Sequence, residues 1–455
     1  MKIIILWSDG LIYLLVLSLV MFFWHLRQSP SVRERWEKVF GNRLGMVTFV
    51  ILATYIAIAL LDSIHFRQAL SEGPDQAVST VYYDNRVVSV LDVLVGDMSR
   101  DHEHTYSAPL ALKSFSKINM KDQHGKNYRD FPPLQHAGKH LQQKEDKWND
   151  FVWQSLLAVC LGTAIALLLI GPQWLLFRNS TLPWKSAWIT QGIIVIFLTW
   201  FIYVGNLYHL LGTDLAGNDV LYKSLKGIRT GVLLGSLATL VMLPIAVSLG
   251  IAAGYFKGWV DDLVQYLYTT LSSIPGILLI AASVLLFQVY IDLNPDLFEV
   301  GLEKADAKFV ALCFILGVTS WATLCRLMRA ETLKISQLEY VQAAHSFGVS
   351  HIRIILRHIL PNVMHIILIT FVLEFSALVL AEAVLSYIGV GIDPAMASWG
   401  NMINGARAEL SREPAIWWTL SGAFFFMFTL VLSANLFSDL VRDAFDPRVS
   451  DGTAR

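Results

Sequence analysis

Nine apolar runs constrain this chain more than any other feature, because a helix needs about 20 mainly apolar residues to cross a bilayer core. They lie near residues 3–24, 44–64, 151–172, 188–208, 230–254, 264–290, 308–327, 362–388 and 415–437. Such a pattern predicts an all-α polytopic membrane protein. Composition agrees: 55% of the 455 residues are hydrophobic, only 16% are charged, and there are 14 Trp. A soluble chain of this size carries more charge. The first run is the weakest, since it contains Asp9-Gly10. A signal-like segment is the alternative there, but no small-residue cleavage site follows. Arg27, Arg33, Arg35, Lys38 and Arg43 instead read as cytoplasmic anchors.

Orientation follows from Lys and Arg in the short loops, where the positive-inside bias operates. If loops 25–43, 173–187, 255–263, 326–361 and the tail from 438 are inside, they carry 16 such residues against 8 on the opposite side, the long segment 65–150 excluded. Nine spans then place the C-terminus and loop 326–361 in the cytoplasm and the N-terminus outside. Segment 65–150 becomes extracytoplasmic, with 11 basic and 12 acidic residues. Its strand-like stretch 77–96 suggests a small β-containing subdomain. It reads either as a solvated cap or as a surface receiving a solute-binding protein. Cys160, Cys313 and Cys325 all lie in apolar runs, so no disulfide framework is indicated. The net charge of −1 argues against a nucleic-acid partner.

Between two apolar runs stands the polar stretch Glu339-Tyr340-Val341-Gln342-Ala343-Ala344-His345-Ser346-Phe347-Gly348, with Pro361 thirteen residues beyond the glycine. Ser336 and Glu339 fit a capping box, Ala343 and Ala344 permit close approach of another surface, and Gly348 suits a left-handed helix stop. Ser350 is placed to cap a second helix over 351–360, which Pro361 ends. The expectation is a helix, turn, helix that docks a cytoplasmic partner. An ordinary helical hairpin between spans is the plainer alternative.

This stretch resembles the "EAA" coupling loop of permease subunits of ABC importers, more narrowly the dipeptide and oligopeptide permeases, with Gln342 where the family has its first Glu. Ala343, Ala344, Gly348, His358, Leu360 and Pro361 stand at family positions. So do Gly212-Thr213-Asp214 with Gly217-Asn218-Asp219-Val220, Asn218 replacing the usual Arg. The match continues through Gly250, Gly254, Tyr255, Gly258, Trp259, Asp261, the Pro275-Gly276 helix kink, Ala381-Glu382-Ala383, Ser398 to Met402, Asp439 and Arg442 to Arg448. The resemblance covers roughly residues 42–64 and 212–448. It implies a type I ABC importer transmembrane domain with a six-helix-type core.

About three extra spans are then attached: one in 1–43 with a linker, and two in 151–211. The core comprises 44–64 and 212–448, with the coupling loop at 336–361, followed by a tail at 449–455. The implied role is the inner-membrane permease subunit of a bacterial ATP-driven importer of peptides. Its implied partners are a second homologous permease, two ATPases, an extracytoplasmic solute-binding protein and the bilayer. Glu339, Gln342, Ala343, Ala344, Gly348, Arg353, His358 and Pro361 are the implied ATPase-coupling residues.

No G-x-x-x-x-G-K-[ST] loop occurs, so the chain is read as a non-enzyme with no cofactor of its own, ATP being held by partners. Charges deep in apolar runs are costly and default to function. Glu374 and Glu382 qualify, either lining a translocation path or, for Glu382, pairing with a neighbouring helix. His102, His104, His124, His136 and His140 crowd the outer segment. Asp101-His102-Glu103-His104 reads as a solvated turn rather than a metal site, since ligand spacing on a rigid element is missing. A nickel or nickel-chelate permease of the same family, and a self-contained secondary carrier, stand as rival functions.

Overall fold

The computed structural model describes residues 2–26, 30–69, 83–121, 127–141, 146–180, 182–294 and 301–445. Arg27, residues 77–82 of the strand-like stretch, His124, Asp446, Pro447, Arg448 and the tail 449–455 lie outside the described residues. The chain opens with β1 (Lys2–Ile4), α1 (Trp7–Leu26), α2 (Pro30–Gly41) and α3 (Arg43–Asp62). The polar segment supplies β2 (His65–Ala69), β3 (Tyr83–Ser89), α4 (Val90–Val95), β4 (Ile118–Lys121) and β5 (Asn127–Asp130). Then come α5 (Lys147–Phe177), α6 (Trp184–Gly205), α7 (Val220–Phe256), α8 (Gly258–Ser273), α9 (Gly276–Leu293), α10 (Gly301–Ser320) and α11 (Ala322–Ile335). Last are α12 (Glu339–Ser346), α13 (His351–Ile354), α14 (Leu360–Ile388), α15 (Trp399–Glu409) and α16 (Trp418–Phe445).

Among the described residues seven helices are long and apolar enough to cross a membrane, and the pair α10 and α11, bent by 42°, makes an eighth. The expected nine spans are therefore redrawn in three places. Run 264–290 is two helices. Pro275 offers no N–H and drives Ile274 into an extended conformation, so α8 ends there and α9 alone has spanning length. Run 308–327 crosses the bend at Trp321. Run 3–24 starts as a strand, because Lys2 to Ile4 pair with His65 to Arg67 of β2. Its described apolar helical part is Trp7–Leu17.

The described residues form two compact units, drawn from 1–9, 40–231 and 397–433, and from 10–39, 232–396 and 434–455. The first is organised by cations on α7. Arg229 donates to Asp9 at 2.6 Å, to Ser8 at 2.8 Å and to Ser63 at 3.2 Å, and His65 Nδ1 closes on the same carboxylate at 2.8 Å. Lys226 meets Asp62 at 2.9 Å and Asp92 at 3.0 Å. Lys223 pairs with Asp214. Asp92 also completes a capping box with Ser89 at the start of α4. Burial pushes its carboxyl up, but Lys226 and the Ser89 amide outweigh that and hold it below the usual range.

Beside this network the antiparallel sheet β1-β2-β3 and the hairpin β4-β5 confirm a small β-containing part in segment 65–150. The segment is seated on the loop before α7. The Glu103 amide donates to the Gly217 carbonyl at 3.0 Å, and a Cβ at Gly217 would stand 1.7 Å from the Glu103 carbonyl oxygen. Only glycine fits there. Asp219 accepts from the Leu221 and Tyr222 amides at the start of α7 and from His209 at 2.7 Å. Glu103, 3.5 Å from His209 Nε2, accepts from the Gln135 and His136 amides.

In the second unit the lower part of α7 lies hard against α11. A Cβ at Gly250 would meet Met328 Cβ at 2.5 Å, and one at Gly254 the Arg329 carbonyl at 2.7 Å, the small-residue contact by which membrane helices approach closely. Arg329 grips Asp261 of α8 with two nitrogens. Val39 of α2 packs on Val441 and Phe445 of α16, with Trp36 edge-on to Phe445 at 5.6 Å.

Removing one member of a buried ion pair strands the other, at a cost of about 3–5 kcal/mol. Asp9→Ala is expected to lower the melting temperature of the purified protein far more than Lys304→Ala, which breaks an exposed pair with Asp292. Equal shifts would remove the role assigned to Arg229.

The Glu103–His209–Asp219 cluster also predicts a pH window. Burial lowers the His209 imidazolium, but the bond to Asp219 and the nearby Glu103 carboxylate prevail and raise it from 6.5 to about 9. Burial raises the Glu103 carboxyl, but His209 and the two amides bring it down from 4.5 to about 2. The histidine contribution is complete below its unfolded value and is lost as pH rises through about 9. The glutamate contribution is complete above its unfolded value and is lost as pH falls toward about 2. Protease protection of the polar segment is expected to weaken as pH rises from 6.5 to about 9 and to level off beyond that, and His209→Gln to abolish that decline.

Candidate functional site

The loop 336–361 folds as a stiff, bent element, by means partly different from those its sequence suggests. Ser336 caps the end of α11 and its hydroxyl donates to the Leu333 carbonyl at 2.8 Å, so no capping box forms with Glu339. The N-cap of α12 is Leu338, whose carbonyl accepts from the Val341 and Gln342 amides. The Ser336 side chain is unavailable because that residue still has helical backbone angles and precedes the N-cap Leu338.

At its other end α12 stops as expected. Gly348 has φ +74°, the Gly348 amide donates to the His345 carbonyl and the Val349 amide to the Ala344 carbonyl, the two bonds of a Schellman motif. No other atom lies within 4 Å of a Cβ built at Gly348, so backbone handedness alone demands the glycine. Ser350 is the N-cap of α13, without a side-chain cap bond.

The second helix does not end at Pro361. Residues 355–359 form a π-turn that runs directly into α14, and His351–Ile388 is one continuous span. In the π-turn the Leu360 amide reaches the Ile355 carbonyl five residues back. Pro361 then occupies the first turn of α14, where a missing N–H is tolerated, and the Asn362 side chain donates to the His358 carbonyl at 2.6 Å. The expected helical hairpin is thus a short helix and a turn at the root of a long span.

Two faces of the loop differ. Val341, Ile354, Ile359 and Val363 are buried with Cys325, Met328, Tyr268 and Ala253, which seats the loop on the helices of its own unit. Ala344 is partly buried on that side, whereas Ala343 is exposed. On the other face Phe347 is 86% exposed, Ile352 71% and Leu356 58%. Glu339, Gln342, Arg353 and Pro361 are exposed beside them, and His358 is half-buried. Gln342 donates to the Gln337 carbonyl at 3.2 Å, bracing the turn into α12. Sequence reasoning missed Tyr340, whose hydroxyl accepts from Asn362 at 3.1 Å and whose ring stands 5.9 Å from that of His358. It also missed the clamp of Tyr255 on His351, oxygen to Nδ1 at 2.9 Å. Tyr255 carried a signal as a motif residue.

The two span carboxylates separate. Glu382 is buried and accepts from the Ser386 hydroxyl at 2.7 Å, while that hydroxyl accepts from the Ile392 amide beyond the end of α14. Ser386 lies one turn further along the same helix, not on a neighbouring one. Glu374 is half-buried on the same helix with no partner among the described residues. Three histidines of segment 65–150 take different companions: His136 pairs with Asp101, His140 with Asp150, and His104 Nε2 lies 2.9 Å from the Gln135 side-chain nitrogen. Among the described residues no three His, Cys, Asp or Glu gather as metal ligands.

Residues 246–451 match the family described as binding-protein-dependent transport system inner membrane component. The chain is similar to the glutathione transport system permease protein GsiD of Pectobacterium atrosepticum, 33% identical over 53% of this chain and 73% of the relative. It is also similar to the oligopeptide transport system permease protein OppC of Haemophilus influenzae, 32% identical over 53% of this chain and 71% of the relative. The dipeptide transport system permease protein DppC of Bacillus subtilis is 33% identical over 53% of this chain and 69% of its own length.

Gly348→Ala adds a methyl group to open space, so its only penalty is the left-handed backbone, about 1–2 kcal/mol. Hydrogen exchange at the amides of Gly348 and Val349 is expected to quicken roughly tenfold or more, with Gly348→Asn milder. Unchanged exchange would contradict the Schellman turn.

Proposed function

This chain belongs to the binding-protein-dependent transport system inner membrane component family, and from that premise we propose that it is the permease subunit of an ATP-driven peptide importer. The observation that carries the reading is the two-faced loop 336–361. Its underside is locked to the spans, and its outer side offers Phe347, Ile352 and Leu356 to a partner. Large exposed apolar side chains grouped on one polar-rimmed element mark an interaction surface. In this proposal the surface seats in a separate ATPase subunit, with Glu339, Gln342, Ala343, Arg353 and His358 at the contact and Ala344, Gly348 and Pro361 shaping it.

The chain carries no phosphate-binding loop, so the work of ATP hydrolysis arrives through this contact. A second permease of the same family, two ATPases and an extracytoplasmic solute receptor complete the assembly. The loop and the C-terminus face the cytoplasm and segment 65–150 the opposite side, as the positive-inside count supports. Glu374 lines the path and meets a peptide amino group, while Glu382 holds the outer end of α14 through Ser386. The relatives named for glutathione, oligopeptides and dipeptides favour peptides over nickel or a self-contained carrier.

Uptake of a labelled peptide by cells carrying the complete transporter tests this. Gly348→Asp and Phe347→Asp are each expected to leave the subunit inserted and to cut uptake on the order of tenfold or more, since each places a charge in the docking face. Normal uptake by both variants, or transport by the purified chain in liposomes with no ATPase, would overturn the proposal.

A further inference from the structure

Within the first unit, α3 and α6 leave an apolar groove of about 560 Å³ between them, closed at one end by the last turn of α5. On α3 its wall runs from Met46 to Ala57 and on α6 from Trp184 to Leu198. Those stretches measure about 16 and 21 Å of helix. That is close to one leaflet of a hydrocarbon core about 30 Å thick. Phe49, Ala53 and Ala57 on the α3 wall are exposed, so the groove opens sideways toward whatever surrounds the helices.

Its polar groups are unsatisfied at one end. Trp184 stacks on Phe177 at 4.3 Å, yet its indole N–H is buried without a partner among the described residues. Gln173 lines the same end, and it too has no hydrogen-bond partner among them. An unpaired buried donor favours a guest that brings acceptors. At the same end stand Arg43 in the first turn of α3, Arg178 just after α5 and Lys185 in the first turn of α6. All three are exposed and none makes an ion pair among the described residues. No Asp or Glu occurs in residues 40–61 or 151–205, and Glu37 of α2 pairs with Arg33.

An apolar slot one leaflet deep, topped by free donors and then by three uncompensated cations, has the polarity of a phospholipid read from tail to phosphate. We propose that this groove holds one anionic phospholipid, an acyl chain between α3 and α6, its ester oxygens at Trp184 and Gln173, and its phosphate among Arg43, Arg178 and Lys185. Basic pockets between spans are a recognised headgroup chemistry. The lipid fills the seam between α3 and the α5–α6 pair, mounting the two added spans on the core.

The full chain, extracted from membranes into mild detergent, is examined by native mass spectrometry, with the retained phospholipid counted and typed. One tightly held anionic phospholipid per chain is expected. Rebinding to delipidated protein should prefer phosphatidylglycerol over phosphatidylcholine. Ala53→Trp fills the slot and should abolish retention of any lipid. Arg178→Gln with Lys185→Gln lies on the exposed rim and should weaken phosphatidylglycerol rebinding on the order of fivefold per cation, leaving phosphatidylcholine unchanged. No lipid above detergent background, equal retention in Ala53→Trp, or no headgroup preference would each overturn the proposal. Because the readout is lipid mass, it stands or falls separately from peptide transport.

Discussion

Three cations spaced three residues apart on the first turns of α7 decide where much of the first unit lies. Lys223, Lys226 and Arg229 fall on one face, and each is met by a carboxylate from a different stretch: Asp214 before the helix, Asp62 and Asp92 from α3 and α4, and Asp9 from α1. Charges taken out of water are tolerable only when paired and hydrogen-bonded. The pairing therefore acts as a selection rule: α1, α3 and α4 must converge on α7, because any other arrangement leaves a buried ion uncompensated. The β1-β2 pairing is a consequence, since it carries His65 to the Asp9 carboxylate that Arg229 holds.

That rule was invisible in the amino-acid sequence for a simple reason. Lys223, Lys226 and Arg229 entered the reading as three positive charges on one side of a membrane, and Asp9 as an anomaly in an apolar run. Which acid meets which base is a long-range fact, separated by up to 220 residues, and no periodicity encodes it. What depends on local chemistry is legible: apolar length gives α3, α6 and α14 nearly to their ends and the greater part of α5 and α16, short of their last turns, and Gly348 gives its left-handed turn. Misreadings came where two local signals compete. Pro275 reads as a kink and is a full break. Pro361 reads as a full stop and is absorbed by a π-turn. A proline's effect depends on whether the preceding turn can widen, which the proline itself does not specify.

Absorbing Pro361 changes what loop 336–361 is mechanically. A hairpin hinged at a proline would dissipate a push at its joint. A span continuous from His351 to Ile388 carries displacement along its length, past Glu374 to the turn held by Glu382 and Ser386. α12 is attached through the Schellman turn; the bond of Asn362 to Tyr340 ties it back to the span, and the bond between Tyr255 and His351 ties the start of that span to α7. In the proposed role, force applied at Phe347 and Ile352 reaches the interior of the span without an intervening soft element.

The polar segment bears on the opposite end of the same argument. Its Glu103 to Ser107 stretch lies directly on the Gly212 to Asp219 loop, with the Ser107 amide bound to Thr213 at 2.6 Å and the Glu103 amide to Gly217. Asp219 of that loop starts α7, whose later turns pack on α11, immediately before loop 336–361. The polar segment is therefore built into the loop that starts α7 rather than tethered beside it. An insertion that merely covered the surface would have no need of a glycine whose replacement collides with its backbone at 1.7 Å. Its attachment through a charged histidine between two carboxylates ties the placement of that motif to protonation, since proton loss from His209 leaves Glu103 and Asp219 facing each other unscreened.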